Sequence, residues 1–257
     1  MRAQTLPTSA GWHWIVSGFA IYRCNPILLS MLVLAYWFTI LLLNLLPVIG
    51  AIAASLVIPG LSVGLMQASR NLERGQPISI QTLFGGLKEN TKTLVALGAL
   101  YLVLTLGILG ISALSDGGDL LSFMLSGKQA DRVAIEEGNF ALPALIVMLL
   151  MMPVMMAYWF APVLAAWHKL TLGRALFYSL VACSLNWRPF LSYGIALLLV
   201  AGIIPGLLLG VLLALFSNAQ PFITALIAMP MLLAVAPAIF ASFYASYRDI
   251  FGISEIV

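Results

Sequence analysis

Hydrophobic positions come in long blocks, with polar positions gathered between them. From Ile27 to Ser69 the chain runs 43 residues without one charged side chain. A helix rises about 1.5 Å per residue and needs about 20 apolar residues to cross about 30 Å of hydrocarbon. That block therefore predicts two crossings with almost no loop. Asn44, Pro47 and Gly50 mark the turn, because proline and glycine interrupt helices. The same pattern predicts spans at 27–46, 48–69, 93–114, 141–167, 190–216 and 222–247. The last three exceed the minimum length, so tilt or kinks at Pro153, Pro205, Pro230 and Pro237 are expected. The predicted fold is all-α: one polytopic membrane domain over 1–257 with six transmembrane helices.

A shorter period appears before some of these blocks. Trp12, Ile15, Val16 and Phe19 recur at i, i+3, i+4 and i+7, which makes one apolar helical face. Trp14 and Ile21 point to a second face, which a neighbouring span would cover. Ile80, Leu83, Phe84 and Leu87 repeat the spacing before the third span, with Gln81, Lys88 and Lys92 opposite and Ser79 placed as N-cap. The stretch 171–188 before the fifth span is a weaker third copy, its polar residues spread around the wheel. The returning spans also rhyme. Pro59 precedes Arg70 and Pro237 precedes Arg248 by eleven residues, and Pro162 precedes Arg174 by twelve. Three repeat-like units follow, about 10–75, 76–170 and 171–252, each a short amphipathic helix leading into a two-helix hairpin. Helices with an apolar and a basic face settle into the headgroup layer, where Trp rings mark depth and Arg or Lys meet anionic lipid. The interfacial, lipid-facing candidates are Trp12, Trp14, Phe19, Arg23, Phe84, Lys88, Lys92, Trp187 and Arg188.

Composition agrees with a bilayer as solvent. Only 8% of residues are charged and 62% are hydrophobic, against about 25% charged in soluble domains. The net charge of +3 is scattered between apolar blocks, which excludes a nucleic-acid footprint and points to topology signals. Ten basic residues fall on the side of the termini and two, Lys128 and Arg132, on the other. The positive-inside rule then places both termini in the cytoplasm. The outer loop 115–140 carries Asp116, Asp119, Asp131, Glu136 and Glu137. No cleaved signal peptide is expected, since only Arg2 precedes Trp12 and the apolar run after Pro26 is too long for a signal core. Cys24 and Cys183 have no metal or redox spacing.

The residues that carry candidate chemistry are few. His13, between Trp12 and Trp14, has no sequence partner, and His168 has no carboxylate nearby; both read as polar face residues. Met148, Met151, Met152, Met155 and Met156 form a stripe at helical spacing. Thioethers take Cu(I), but without Cys or His in the span the stripe reads as flexible packing. The sequence GIIPGLLLG, 202–210, reads as a close helix approach. No cofactor or metal site is expected. No span carries an ionisable residue in its interior, which disfavours proton-coupled transport. Walker A, HExxH and GxSxG motifs are absent. Three function classes remain. The first is a non-enzymatic protein acting through anionic lipid or a membrane-protein partner. The second is a transporter or channel for a neutral or amphiphilic solute, with a cavity at Asn44, Thr105 or Ser112. The third is a membrane enzyme built from His13, Arg23, His168 and Arg188.

The opening GWHWIVSGFAIYRCNP, with Trp12, Trp14, Gly18-Phe19, Arg23 and Pro26 followed by paired spans, resembles a family of uncharacterised bacterial inner-membrane proteins of this length. More distantly, the layout is similar to the membrane domain of some glycerophosphodiester phosphodiesterases. Those enzymes carry a separate soluble catalytic barrel, for which this chain has no room, so their activity is not carried over. The resemblance implies inner-membrane location and fold, and supplies no catalytic residue.

Overall fold

The computed structural model describes residues 3–46, 48–118, 141–216, 222, 226 and 228–252. Among them every regular element is helical. In chain order these are α1 (Ala10–Cys24), α2 (Pro26–Asn44), α3 (Ile49–Glu73), α4 (Ile80–Gly85), α5 (Thr91–Asp116), α6 (Ala141–Trp159), α7 (Ala161–Trp167), α8 (Leu172–Leu185), α9 (Trp187–Leu197), α10 (Ile204–Leu215) and α11 (Met229–Phe251). A 3-10 turn, Gly86–Lys88, follows α4, and a π-helical turn, Leu198–Ile203, joins α9 to α10. Six stretches are long and apolar enough to cross a bilayer: Pro26–Asn44, Ile49–Glu73, Thr91–Asp116, Ala141–Trp167, Trp187–Leu215 and Pro230–Phe251. They match the six predicted spans, with the second continuing to Glu73, the fifth beginning at Trp187 and the sixth shifted from 222–247 to Pro230–Phe251. Pro47 and the loop charges Asp119, Lys128, Asp131, Arg132, Glu136 and Glu137 lie outside the described residues.

Local chemistry sets the starts. Asn25 caps α2 by accepting the Leu28 N–H at 3.1 Å, and Pro26 occupies the first turn, where its missing N–H costs nothing. Ser79 stands extended at the N-cap of α4, and its N–H donates to Thr82 Oγ1 at 3.2 Å.

The fourth span is expected as one helix, 141–167, and is instead broken after Trp159. Pro162 lacks an amide, so the ladder loses a rung there. The break is held open by Ser179 of α8, which is fully buried. Its hydroxyl accepts the Phe160 N–H at 2.9 Å and donates to Met156 O at 2.8 Å. These two backbone groups would pair directly in an unbroken helix, so Ser179 inserts into the i→i−4 ladder. In the fifth span Pro205 leaves Ala201 O without its usual partner, and the backbone relaxes into the π turn just before it. A Cβ placed on Gly206 or Gly210 would have no atom within 4 Å, and one on Gly202 would meet only Leu198 of its own turn. The expected close helix approach at 202–210 is therefore not made among the described residues.

The first helix departs furthest from expectation. Gln4 N–H bonds Ile250 O at 2.8 Å, and a Cβ on Gly18 would lie 2.3 Å from Ala238 O. α1 thus runs antiparallel to α11, in backbone contact with it. At its other edge, a Cβ on Gly11 would meet Pro189 O at 2.3 Å. Trp14 is 0% exposed, packed between Phe190 (ring centroids 5.3 Å) and Tyr193 (5.7 Å). Ile21 is buried with it on the covered second face. Trp14 is therefore a core residue and not a lipid-facing one: the glycines on its face let backbones close over the ring. Around this seam lies one apolar cluster, including Trp14, Leu97, Phe160, Leu164 and Tyr193. A second joins Leu29, Leu32 and Val33 of α2 to Leu61, Leu65 and Ala68 of α3.

Candidate functional site

The helices α3, α6–α7 and α11 line, with α5, an open-sided cavity of about 340 Å³. Its walls are mostly apolar, with Ile58, Met66, Val163, Phe240 and Phe243 among the lining residues. Several polar groups also line it, and most are already engaged. Ser55 Oγ donates to Ala51 O at 2.8 Å, and Tyr158 OH donates to Leu97 O at 3.1 Å. Tyr101 OH reaches Met155 Sδ at 3.9 Å. Trp159 differs: it lines the cavity, and its Nε1 is buried without a hydrogen-bond partner. An unmade buried hydrogen bond costs about 1–3 kcal/mol. The ladder break held by Ser179 sits immediately beyond Trp159, so the same irregularity that bends the span presents Tyr158, Trp159 and Pro162 to the cavity. On the opposite wall Gly98 lets α5 lie against the α3 backbone, where a Cβ would fall 2.2 Å from Ser55 O.

One turn beyond three of the wall residues the character changes. Met66 is followed four positions on by Arg70, Val163 by Trp167, and Phe243 by Tyr247. Residues four apart on a helix are neighbours, so the cavity gives way to a polar cluster at the end of the bundle. The Arg70 guanidinium lies 4.9 Å over the Trp167 ring, a cation–π geometry. Trp167 stacks edge-on with Tyr247, ring centroids 5.1 Å apart. Tyr247 OH and His168 Nε2 are 2.6 Å apart. Tyr244 OH donates to Glu73 at 2.7 Å, Glu73 pairs with Arg248, and Arg248 also holds Asp249 at 2.8 Å. Two cations thus face two carboxylates, but unevenly. Arg248 holds both carboxylates, while Arg70 pairs with no carboxylate among the described residues. Burial, and then nearby positive charge including that of Arg70, holds the His168 pKa below its ordinary value.

The sequence-based candidates fall elsewhere. Trp12 (49% exposed), Arg23, Phe84, Lys88, Lys92, Trp187 and Arg188 are exposed, and Phe19 is half-buried. Arg188 lies over the ring of its neighbour Trp187 at 5.3 Å. The proposed catalytic set does not assemble: His13 Nδ1 bonds Ser9 O at 2.8 Å, Arg23 and Arg188 are exposed, and of the four only His168 joins the polar cluster. Asn44, Thr105 and Ser112 do not line the cavity. Asn44 bonds Ile40 O of its own helix, and Ser112 bonds Leu109 O. The methionine stripe divides. Met148 and Met152 are exposed, Met155 lines the cavity and Met156 packs on the core. Burial raises the Cys183 thiol to about 12, which makes it an inert core group. Glu73, Tyr244, Tyr247 and the pairing of α3 with α11 were missed by sequence reasoning. The matching intervals Pro59–Arg70 and Pro237–Arg248 were the available signal, since both arginines end in this cluster.

Residues 45–114, which include α3, α4 and most of α5 and therefore Arg70, Glu73 and Tyr101, match a family described as predicted integral membrane protein (DUF2189). No solved structure matches. Over 261 residues the chain is 34% identical to a probable inner membrane protein of Burkholderia thailandensis, covering 99% of this chain and 96% of that one. With six apolar helices and that full-length likeness, the chain is an integral inner-membrane protein and belongs to the same family as the Burkholderia protein.

Proposed function

We propose that the protein is non-enzymatic and works by holding lipid. The carrying observation is the cavity itself: apolar walls between the spans, continuous along three helices with a polar cluster that contains an arginine free of carboxylate partners among the described residues. A lipid has this division into apolar and polar parts. Purification in mild detergent followed by native mass spectrometry tests the proposal. A retained phospholipid is expected; a bare protein indifferent to added lipid overturns it.

Both termini belong in the cytoplasm on this proposal. The ten-to-two distribution of basic residues supports that orientation, and the polar cluster then faces the cytoplasmic leaflet, which is rich in anionic headgroups. Single cysteines placed at Gln81 and Ser126 should label from opposite sides, and labelling of both from outside reverses the assignment. The three repeat-like units gain support from Pro59 and Pro162, which both line the cavity, and from Pro237, three residues before the lining residue Phe240. The exposed Trp12, Arg23, Phe84, Lys88, Lys92, Trp187 and Arg188 serve as interfacial anchors.

A second function class, passage of an amphiphilic solute, is favoured by the same cavity. The apolar lining argues against a hydrophilic solute. Proteoliposomes that move an amphiphile between leaflets faster than protein-free vesicles would support passage; equal rates would remove it.

A further inference from the structure

We infer that the cavity takes an amphiphile with one acyl chain and an anionic headgroup; this rests on the lipid-holding function proposed above. Each part answers a separate observation. About 340 Å³ lies near the low end of ligand pockets, which span about 300–1,000 Å³, so one chain fits the space better than two. The Arg70 guanidinium stands one turn past Met66 of the cavity wall and is stacked on Trp167. The carboxylates of Glu73 and Asp249 are both held by Arg248. Its donor fork suits a phosphate or carboxylate, which guanidinium binds through paired hydrogen bonds.

The order of events is binding alone. The chain lies between α3, α6 and α11, and the headgroup anion meets Arg70 at the cluster. No bond is broken.

Three probes with the same oleoyl chain separate the parts. Oleoyl lysophosphatidic acid has the phosphate and the ester, monoolein has the ester alone, and oleate has a carboxylate alone. Native mass spectrometry of the intact protein in mild detergent reads occupancy against probe concentration. Lysophosphatidic acid should bind at least about tenfold more tightly than monoolein. Arg70→Gln should bring it down to the level of monoolein and leave monoolein unchanged, with Arg70→Lys intermediate. Met66→Trp, which fills the wall nearest Arg70, should weaken all three, and thermal unfolding of each variant in detergent separates misfolding from lost binding. Equal binding of the three probes overturns the ligand class. An equal loss of all three in Arg70→Gln overturns the role of Arg70. A co-purified two-chain phospholipid with no uptake of any probe overturns this inference and leaves the lipid-holding function standing; no lipid and no probe overturns both.

Discussion

At the scale of single residues, the tightest constraint is the closeness of backbones. A Cβ at Gly18 would stand 2.3 Å from Ala238 O and 2.8 Å from Ser242, inside any allowed contact. Gly18→Ala must push α1 off α11, and overpacking of this kind costs about 1–3 kcal/mol. Gly107, in the middle of α5, has nothing within 4 Å of its Cβ position. There the same change should be neutral or stabilising by up to about 1 kcal/mol, because alanine favours a helix. Thermal unfolding in detergent checks the pair, and equal effects at both sites would contradict the packing of α1. His168 sets a second expectation. The folded protein lowers its pKa, chiefly by burial and then by neighbouring positive charge, so the unfolded chain binds the proton more readily. Stability then rises with pH in that range. It is fully present above the ordinary histidine value of about 6.5 and is lost as the pH falls below it. Unfolding temperatures measured between pH 8 and 5 should drop on the acid side, and His168→Gln should flatten that drop.

At the scale of elements, two polar side chains do what sequence periodicity does not announce. Ser179 separates Phe160 N–H from Met156 O and so keeps α6 and α7 apart. Ser179→Ala leaves those buried groups to find each other or go unpaired, at about 1–3 kcal/mol if they do not. A variant as stable as the parent, with the same lipid occupancy, would show that the break needs no hydroxyl. Asn186 ties down the chain before α1: it accepts from Leu6 N–H at 2.9 Å and donates to Gln4 O at 2.9 Å. Asn186→Leu should speed amide exchange at Leu6 and leave α3 protected; unchanged exchange at Leu6 would deny the tether. The six spans were legible because a run of about 20 uncharged apolar residues has few other uses in a chain. The partition of α1 was legible only in part. Its periodicity separates two faces, but it does not say which face lipid covers and which protein covers. Gly11 and Gly18 decide that, and a glycine in a sequence does not reveal what approaches it. The Ser179 insertion was illegible, because a serine in an apolar helix looks the same whether it bonds its own turn or a neighbour's backbone.

At the scale of the whole molecule, the candidate site is a meeting of returning helices far apart in sequence. Arg70 and Arg248 were visible as equal intervals after Pro59 and Pro237, yet nothing in the sequence said that Arg248 would occupy Glu73 and leave Arg70 stacked on Trp167 instead. The contact between α1 and α11 also bears on biosynthesis. Ribosomes deliver about 5–20 residues per second, and about 200 residues separate the end of α1 from the start of α11. For about 10–40 s the nascent chain carries Gly18 with no α11 to receive it, whereas Gly11 and Trp14 meet α9, which is made earlier. The seam that closes the fold can form only after the last helix has left the insertion machinery, so any chain terminated before Met229 ends its synthesis with the Gly18 edge of α1 still uncovered.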